Sequence, residues 1–154
     1  MKTLTSILIA FLAPTVLAQT TPETPPNAAK QAIENRKAVF RLIGANFRPI
    51  GEILKGNTRY ESVDVGKSAT RVAFLAGFLG ESFSEVSKTG DTQARPEIWS
   101  NRADFDKRET DFVAHATALS QLVARGGGNT DAFKAAALAV VQDCKGCHDN
   151  YREK

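Results

Sequence analysis

Four segments with a helical spacing of apolar residues, separated by glycine or proline, restrict the fold of this 154-residue chain more than any other feature. They span about residues 28–55, 62–87 and 101–125, and the fourth starts at Asp131. Each has one apolar stripe, the pattern of a helix that buries one face, and no stretch alternates long enough to predict paired strands. Two of the three connections are short, which favours antiparallel neighbours. We therefore predict an all-α fold, an antiparallel up-down-up-down four-helix bundle.

Individual residues refine the predicted helix boundaries. Pro49 lies inside the first segment and is expected to kink or split that helix. Ser100 and Thr130 are the predicted N-caps of the third and fourth helices. The longer connection over residues 88–100 carries Trp99, which we expect to be a packing residue rather than a binding residue.

The N-terminus has the pattern of a secretory signal peptide over residues 1–18. Lys2 precedes a mainly apolar stretch at 4–17, and Val16 and Ala18 place short side chains at the positions that signal peptidase recognises. That stretch is shorter than the roughly 20 apolar residues of a spanning helix, which disfavours an uncleaved anchor. We predict an exported chain with a flexible lead-in at 19–27, a single domain at 28–154 and no membrane contact after cleavage.

Composition excludes several classes of function. With 42% hydrophobic and 24% charged residues, the chain is typical of globular proteins. Its net charge of +3 is spread thinly, unlike the clustered basic surface of a nucleic-acid-binding protein. Two cysteines are too few for a disulfide-stapled scaffold.

Cys144-Lys145-Gly146-Cys147-His148 is a C-x-x-C-H motif, the attachment signature of c-type haem. On a helix these cysteines and the histidine share one face, so two thioethers and an iron–histidine bond can form from the same side. A structural zinc site needs four ligands, and the chain has only one further histidine, His115. A thioredoxin-like dithiol needs a βαβ context, which the pattern does not offer. We therefore predict one haem c, attached through Cys144 and Cys147 near the C-terminus, with His148 as the metal ligand.

The second axial position of the iron is predicted to be open. Met1 is the only methionine and leaves with the signal peptide, so the axial methionine of many electron-transfer cytochromes is excluded. His115 lies off the apolar seam of the third helix and is either a boundary histidine near solvent or an iron ligand; a lysine ligand also stays open. A five-coordinate iron binds small diatomic gases, and Phe40 and Ile43 are apolar candidates for the wall beside it, with plain core packing as the alternative.

Two stretches give the mature chain a resemblance to the cytochrome c′ family: Arg95-Pro96-Glu97-Ile98-Trp99-Ser100, and Cys144 to Arg152 at the C-terminus. The resemblance implies that His148 is the sole protein ligand of a high-spin haem. It places Arg152 beside the proximal face, where it would tune the histidine and could meet a gas that displaces it.

The resemblance also implies further cofactor-binding residues. Arg36 would pair with a haem propionate, with Lys37 next to it. Phe40 would sit over the iron on the distal side and Phe83 would be a pocket aromatic. Gln93 would contact the haem edge. Gly80, at the position of a tryptophan in some relatives, would open one side of the pocket.

By this resemblance the chain is expected to be a periplasmic protein that binds nitric oxide, and carbon monoxide more weakly, and that sequesters nitric oxide. It is expected not to be an enzyme, although slow nitric oxide turnover stays open. The alternative is a periplasmic electron carrier that receives electrons from an unidentified donor. A gas sensor is disfavoured because the sequence shows no output domain. The family usually forms homodimers through the first two helices, where Phe74 and Ile53 are expected to be exposed.

Overall fold

The computed structural model describes residues 27–154, so the predicted signal peptide and all but the last residue of the predicted lead-in lie outside it. Six α-helices follow one another: α1 (Ala28–Leu54), α2 (Val65–Ala76), α3 (Leu79–Ser82), α4 (Glu97–Ser100), α5 (Arg102–Ala124) and α6 (Asp131–Tyr151). Single 3-10 turns lie at Tyr60–Ser62 and Glu85–Ser87. Within this part of the chain no helix is long and apolar enough to cross a membrane.

The four long helices form a closed bundle. Helix α1 packs against α2, α2 against α5, α5 against α6, and α6 again against α1. Their facing sides bury a common apolar core, in which Ile50, Val72, Leu119, Phe133 and Val140 are fully enclosed. Each such side chain contributes about 1.5–3 kcal/mol by leaving water. The predicted all-α, antiparallel four-helix bundle is confirmed.

Of the two outcomes expected at Pro49, a kink or a split, the split does not occur, because α1 runs as one helix of 27 residues with Pro49 inside it. Proline lacks the N–H that would bond to the preceding turn. The next residue, Ile50, is completely buried in the core, and Phe47 and Leu54 pack against the same core. Burial on both sides of Pro49 offsets the missing hydrogen bond.

The second predicted helix is shorter than expected. Helix α2 ends at Ala76, and α3 and a 3-10 turn take the place of its predicted second half. The N–H groups of Gly77 and Phe78 bond to carbonyls three residues back, so the chain tightens and leaves the helix there. This break turns Leu79 and Phe83 toward the interior, where both are buried.

One of the two predicted caps is confirmed. The Thr130 hydroxyl accepts a hydrogen bond from the Phe133 N–H at 3.2 Å. Ser100 is not the cap of α5, because it is the last residue of the short helix α4, and Asn101 takes the N-cap position without a side-chain cap. Trp99 packs near the buried Phe83 ring, as expected of a packing residue.

The C-terminal end of α6 is fastened to the segment ahead of α4. The Arg95 N–H bonds to the Tyr151 carbonyl at 3.0 Å, and the Glu153 N–H bonds to the Gln93 carbonyl at 2.8 Å. Ala94 and Arg152 form an isolated antiparallel bridge between these two bonds. Residues 93–95 are thereby held against the end of the helix that carries the C-x-x-C-H motif.

Candidate haem site

A cavity of about 720 Å³ opens between α1, α5, α6 and the segments that follow α2. This volume lies within the range of about 300–1,000 Å³ that is usual for cofactor and ligand pockets. All nine predicted cofactor-binding residues line it: Arg36, Lys37, Phe40, Phe83, Gln93, Cys144, Cys147, His148 and Arg152.

Helix α6 presents the motif to the cavity. Cys144, Cys147 and His148 occupy positions i, i+3 and i+4 of one helix, and all three line the cavity. Gly146 allows Arg108 of α5 to approach, since a Cβ at this position would lie 3.1 Å from its Nη1. The glycine within the motif therefore helps to seat α6 against α5.

Both cysteines are free and half-buried. Burial, together with the negative charge of Asp143, raises the pKa of Cys144 to about 11. Burial also raises the pKa of Cys147. Both side chains are therefore neutral thiols at pH 7, the state in which sulfur and hydrogen can add across a vinyl double bond.

The imidazole of His148 is kept neutral. Burial and the neighbouring charge of Arg152 lower the pKa of His148 below its ordinary value. A neutral imidazole nitrogen is the form that binds a metal ion. Cys144, Cys147 and His148 thus offer, on one face of a helix, the donor set that haem c uses.

Arg36 is the clearest sign of an anionic group in the cavity. The residue is only 4% exposed, and its guanidinium lies 4.9 Å from the centroid of the Phe83 ring. The guanidinium donates to Ser87 Oγ at 2.8 Å and to Thr92 Oγ1 at 2.6 Å. Burial lowers the pKa of Arg36. Within residues 27–154 no carboxylate pairs with it. A buried positive charge with neutral partners alone is costly, so Arg36 is suited to hold an anionic group such as the propionate of a haem.

Lys37 lies at the mouth of the same cavity. Its ammonium group bonds to Asp91 at 2.9 Å and to Glu34 at 3.2 Å, and these two carboxylates raise the pKa of Lys37. The charge of the Lys37 ammonium is already balanced by these two carboxylates, and both of them are exposed to water. Lys37 therefore needs no carboxylate of a cofactor as a partner.

Apolar side chains from several elements form one wall of the cavity. Phe40 meets Phe83 edge to face, with 5.9 Å between the ring centroids. The other apolar lining residues include Ile43, Leu79, Ile98, Phe105 and Phe112.

The expectation for Gly80 needs a correction. Gly80 is not among the residues that line the cavity, and the space beside it is taken by Glu109, since a Cβ at Gly80 would lie 3.1 Å from Glu109 Oε1. The Glu109 carboxyl itself lines the cavity, and burial raises its pKa, with the charge of Asp106 adding to the effect. The missing side chain at Gly80 thus makes room for a carboxyl group.

Gln93 and Arg152 contact each other at the cavity edge. The Arg152 Nε and Nη2 groups both donate to Gln93 Oε1, at 3.2 and 3.0 Å. The two residues that the resemblance places at the haem edge and beside the proximal face are therefore hydrogen-bonded to one another.

His115 is placed away from the cavity. Its Nδ1 lies 2.7 Å from Asp143 Oδ2, the side chain is 46% exposed, and it does not line the cavity. This position fits the boundary histidine and not the iron ligand. In the described part of the chain no group of three or more His, Cys, Asp or Glu side chains is arranged to hold a metal ion.

Sequence reasoning missed part of the site on α5. Phe105, Arg108, Glu109 and Phe112 all line the cavity at a spacing of three, one and three residues, which is one helix face. Phe105 and Phe112 follow the apolar stripe of this helix, and the charged Arg108 and Glu109 lie between them on the same face. Charged residues inside an apolar stripe were the available signal.

Comparisons with known proteins agree with this site. The family model described as cytochrome c′ matches residues 31–152. The cytochrome c′ of Rhodopseudomonas palustris is 36% identical over 128 residues, which cover 82% of this chain and 85% of that protein.

Solved structures give the same result. Cytochrome c prime from Shewanella frigidimarina superposes with a TM-score of 0.75 at 37% identity, over 82% of this chain and 97% of that one. An arginine-to-lysine variant of cytochrome c prime from Alcaligenes xylosoxidans, ferrous and with bound NO, gives a TM-score of 0.72 at 27% identity, over 82% and 96%. A carbon-monoxide-bound variant from the same organism gives 0.71 at 28% identity, over 82% and 97%. The chain belongs to the cytochrome c′ family, and its cofactor is haem c.

Proposed function

We propose that this protein binds nitric oxide, and carbon monoxide more weakly, at an open position of its haem iron and thereby sequesters nitric oxide. The observation that carries the proposal is the ligand set: of the two histidines in the chain, only His148 lines the cavity. The sole methionine, Met1, belongs to the predicted signal peptide. The protein thus brings one strong iron ligand to the cofactor.

Haem c would supply an iron atom, which can bind a diatomic gas when the protein provides only one ligand. In this proposal Cys144 and Cys147 hold the cofactor by thioethers and His148 binds the iron. Arg36 neutralises a propionate, and the ion-paired Lys37 lies at the entrance.

The apolar wall decides which gas is favoured. Phe40, held edge-on by Phe83, is proposed to lie on the distal side together with Ile43, where its phenyl ring restricts access. Oxygen depends on a hydrogen-bond donor in the pocket more than nitric oxide and carbon monoxide do, and apolar side chains offer none. The nitric oxide and carbon monoxide complexes of the Alcaligenes xylosoxidans protein support the same ligands here.

We also propose that the mature protein, with its domain at 28–154, acts in the periplasm. The signal-peptide pattern of residues 1–18 supports export, and thioether attachment of haem takes place after export.

A second copy of the chain is the proposed partner. Phe74 on α2 is 68% exposed and contacts the Phe78 ring edge-on at 5.3 Å, and Leu42 of α1 is 51% exposed. Ile53, in contrast, is half-buried and packs against the core, so the expectation that it is exposed is wrong. Exposed apolar side chains on α1 and on and just after α2 favour a homodimer through the first two helices.

Visible absorption spectra of the purified haem-loaded protein test the function. We expect a broad high-spin Soret band in the reduced protein, replaced by the spectrum of the nitric oxide complex when the gas is added. Sharp low-spin α and β bands that gas leaves unchanged would contradict the proposal and would make electron transfer the leading function. The His115→Ala variant is the control, because its spectrum should equal that of the wild type.

A further inference from the structure

One short segment joins two of the arginines that line the cavity, Arg36 and Arg152. Thr92 Oγ1 accepts a hydrogen bond from Arg36 Nη2 at 2.6 Å and from the Ala94 N–H at 3.0 Å. The next residue, Gln93, accepts both hydrogen bonds of Arg152. Thr92 thus ties this segment to the buried guanidinium of Arg36 on α1, and Gln93 holds the exposed guanidinium of Arg152 just after α6.

The position of Arg152 depends on this segment. Arg152 lies one turn after His148, and its N–H bonds to the His148 carbonyl at 3.3 Å. Arg152 is exposed, and the rotamer entropy of a free arginine side chain favours many conformations in solvent over a single one. The two donor contacts to one fixed oxygen of Gln93 oppose that tendency.

The backbone of Gln93 is fixed independently of its side chain. Its carbonyl accepts the Glu153 N–H at 2.8 Å, and the flanking Ala94 is bridged to Arg152. Losing the side-chain amide would therefore release the guanidinium without releasing the segment.

We propose that Gln93 is a positioning residue, which holds the Arg152 guanidinium near His148 and thereby sets the electrostatic field at the haem iron. This inference rests on the proposed role of His148 as the iron ligand. A positive charge held there favours the ferrous state of the iron, and a charge released into solvent does so less because water screens it. His148 and Arg152 both line the cavity, which supports the same proximity.

The test is a double-mutant cycle on the reduction potential of the haem-loaded protein. Gln93→Leu keeps the size of the side chain and removes the acceptor. We expect it to lower the equilibrium constant for reduction by on the order of threefold, the size usual for one interaction between partly exposed charges. Arg152→Ala should lower it in the same direction, and the double variant should add little to Arg152→Ala alone.

Lys37→Ala is the matched control. Like Arg152, Lys37 is a cationic residue that lines the cavity, but its partners are Glu34 and Asp91 and not Gln93. Its effect on the potential should therefore add to that of Gln93→Leu. Gln93→Glu keeps an acceptor oxygen, so the coupling to Arg152 should persist in that variant.

Two outcomes would overturn the inference. A full effect of Gln93→Leu in the Arg152→Ala background would mean that Gln93 acts on the cofactor directly. No effect of Arg152→Ala on the potential would remove the role of its charge. Both outcomes leave the high-spin spectrum and gas binding intact, whereas a low-spin spectrum would mean that the proposed function itself has failed.

Discussion

The hydroxyl group of Tyr151 donates a hydrogen bond to Oδ2 of Asp104, with 2.6 Å between the oxygens. Arg108 donates to the same carboxylate oxygen at 2.7 Å, and the Tyr151 ring packs edge-on against Phe105 at 5.3 Å. Tyr151 is the last residue of α6, three positions after His148, and Asp104 lies in the first turn of α5. The end of the helix that carries the haem motif is therefore fixed to α5 by one buried phenol.

Tyr151→Phe should destabilise the protein without changing its haem spectrum. The buried ring is retained, and one hydrogen bond to a carboxylate is lost, at a cost of about 1.5–3 kcal/mol. Thermal unfolding followed by circular dichroism measures the loss. The control is Tyr60→Phe, since the Tyr60 hydroxyl makes no hydrogen bond within residues 27–154. Equal changes in Tm for both variants would contradict this account.

Stability should fall at low pH in part through Asp104. Hydrogen bonds from Arg108 and then Tyr151 lower the pKa of Asp104. Its contribution is complete above the unfolded pKa of about 3.9 and is lost as the pH falls through the lower folded value. Asp104→Asn should therefore be less stable than the wild type at pH 7 and should lose less stability below about pH 4. Asp111→Asn, which removes an ion pair with Lys107 on the same helix, is the control. Parallel pH profiles for wild type and Asp104→Asn would speak against the role of Asp104.

Phe40→Ala should speed gas binding if Phe40 covers the distal side. Removing a steric barrier of about 1.4 kcal/mol corresponds to a rate about tenfold higher. Stopped-flow absorption with carbon monoxide gives the rate constant, and the same variant reports whether oxygen gains access. Phe47→Ala is the control, because Phe47 lies on the same helix and packs on the core without lining the cavity. Unchanged kinetics in Phe40→Ala would remove its distal role.

Arg36→Gln should destabilise the haem-loaded protein far more than Lys37→Gln. If Arg36 neutralises a propionate, its removal leaves a buried negative charge unpaired, at a cost of about 3–5 kcal/mol. The ion pairs of Lys37 are exposed and screened by water, so they contribute little to stability. Denaturant unfolding of the two haem-loaded variants measures the difference. Similar losses in both would show that the buried arginine has no anionic partner in the cofactor.

Phe74→Glu should weaken self-association. A carboxylate on the exposed ring position of α2 opposes burial of the Phe74–Phe78 pair between two copies. Analytical ultracentrifugation over a range of protein concentrations gives the dissociation constant, which should rise at least tenfold. Leu138→Glu places the same charge on an exposed apolar residue of α6 and should leave the constant unchanged. A wild-type protein that sediments as a monomer at all concentrations would contradict the proposed homodimer.

The sequence predicted the fold better than it predicted helix boundaries. Helical spacing does not show where packing overrides the local preference of a residue. At Pro49, for example, α1 continues because Ile50 is buried in the core. The same limit explains the break at Gly77 and the N-cap of α5, which depend on where neighbouring segments lie. The expectation that Gly80 opens one side of the pocket is wrong because the side chain of Glu109, 29 positions later, fills the space beside it.

By itself the sequence determined the features that arise from short-range spacing: four amphipathic helices, and two cysteines and a histidine on one face of the last helix. Such features need only the 3.6-residue period of a helix. Tertiary structure alone decided the partners of the charged groups, including Arg36 with Thr92 and Arg152 with Gln93, which are 56 and 59 positions apart. Hydrogen bonds act over about 3 Å, so they are fixed only when packing of the apolar faces has brought distant segments together.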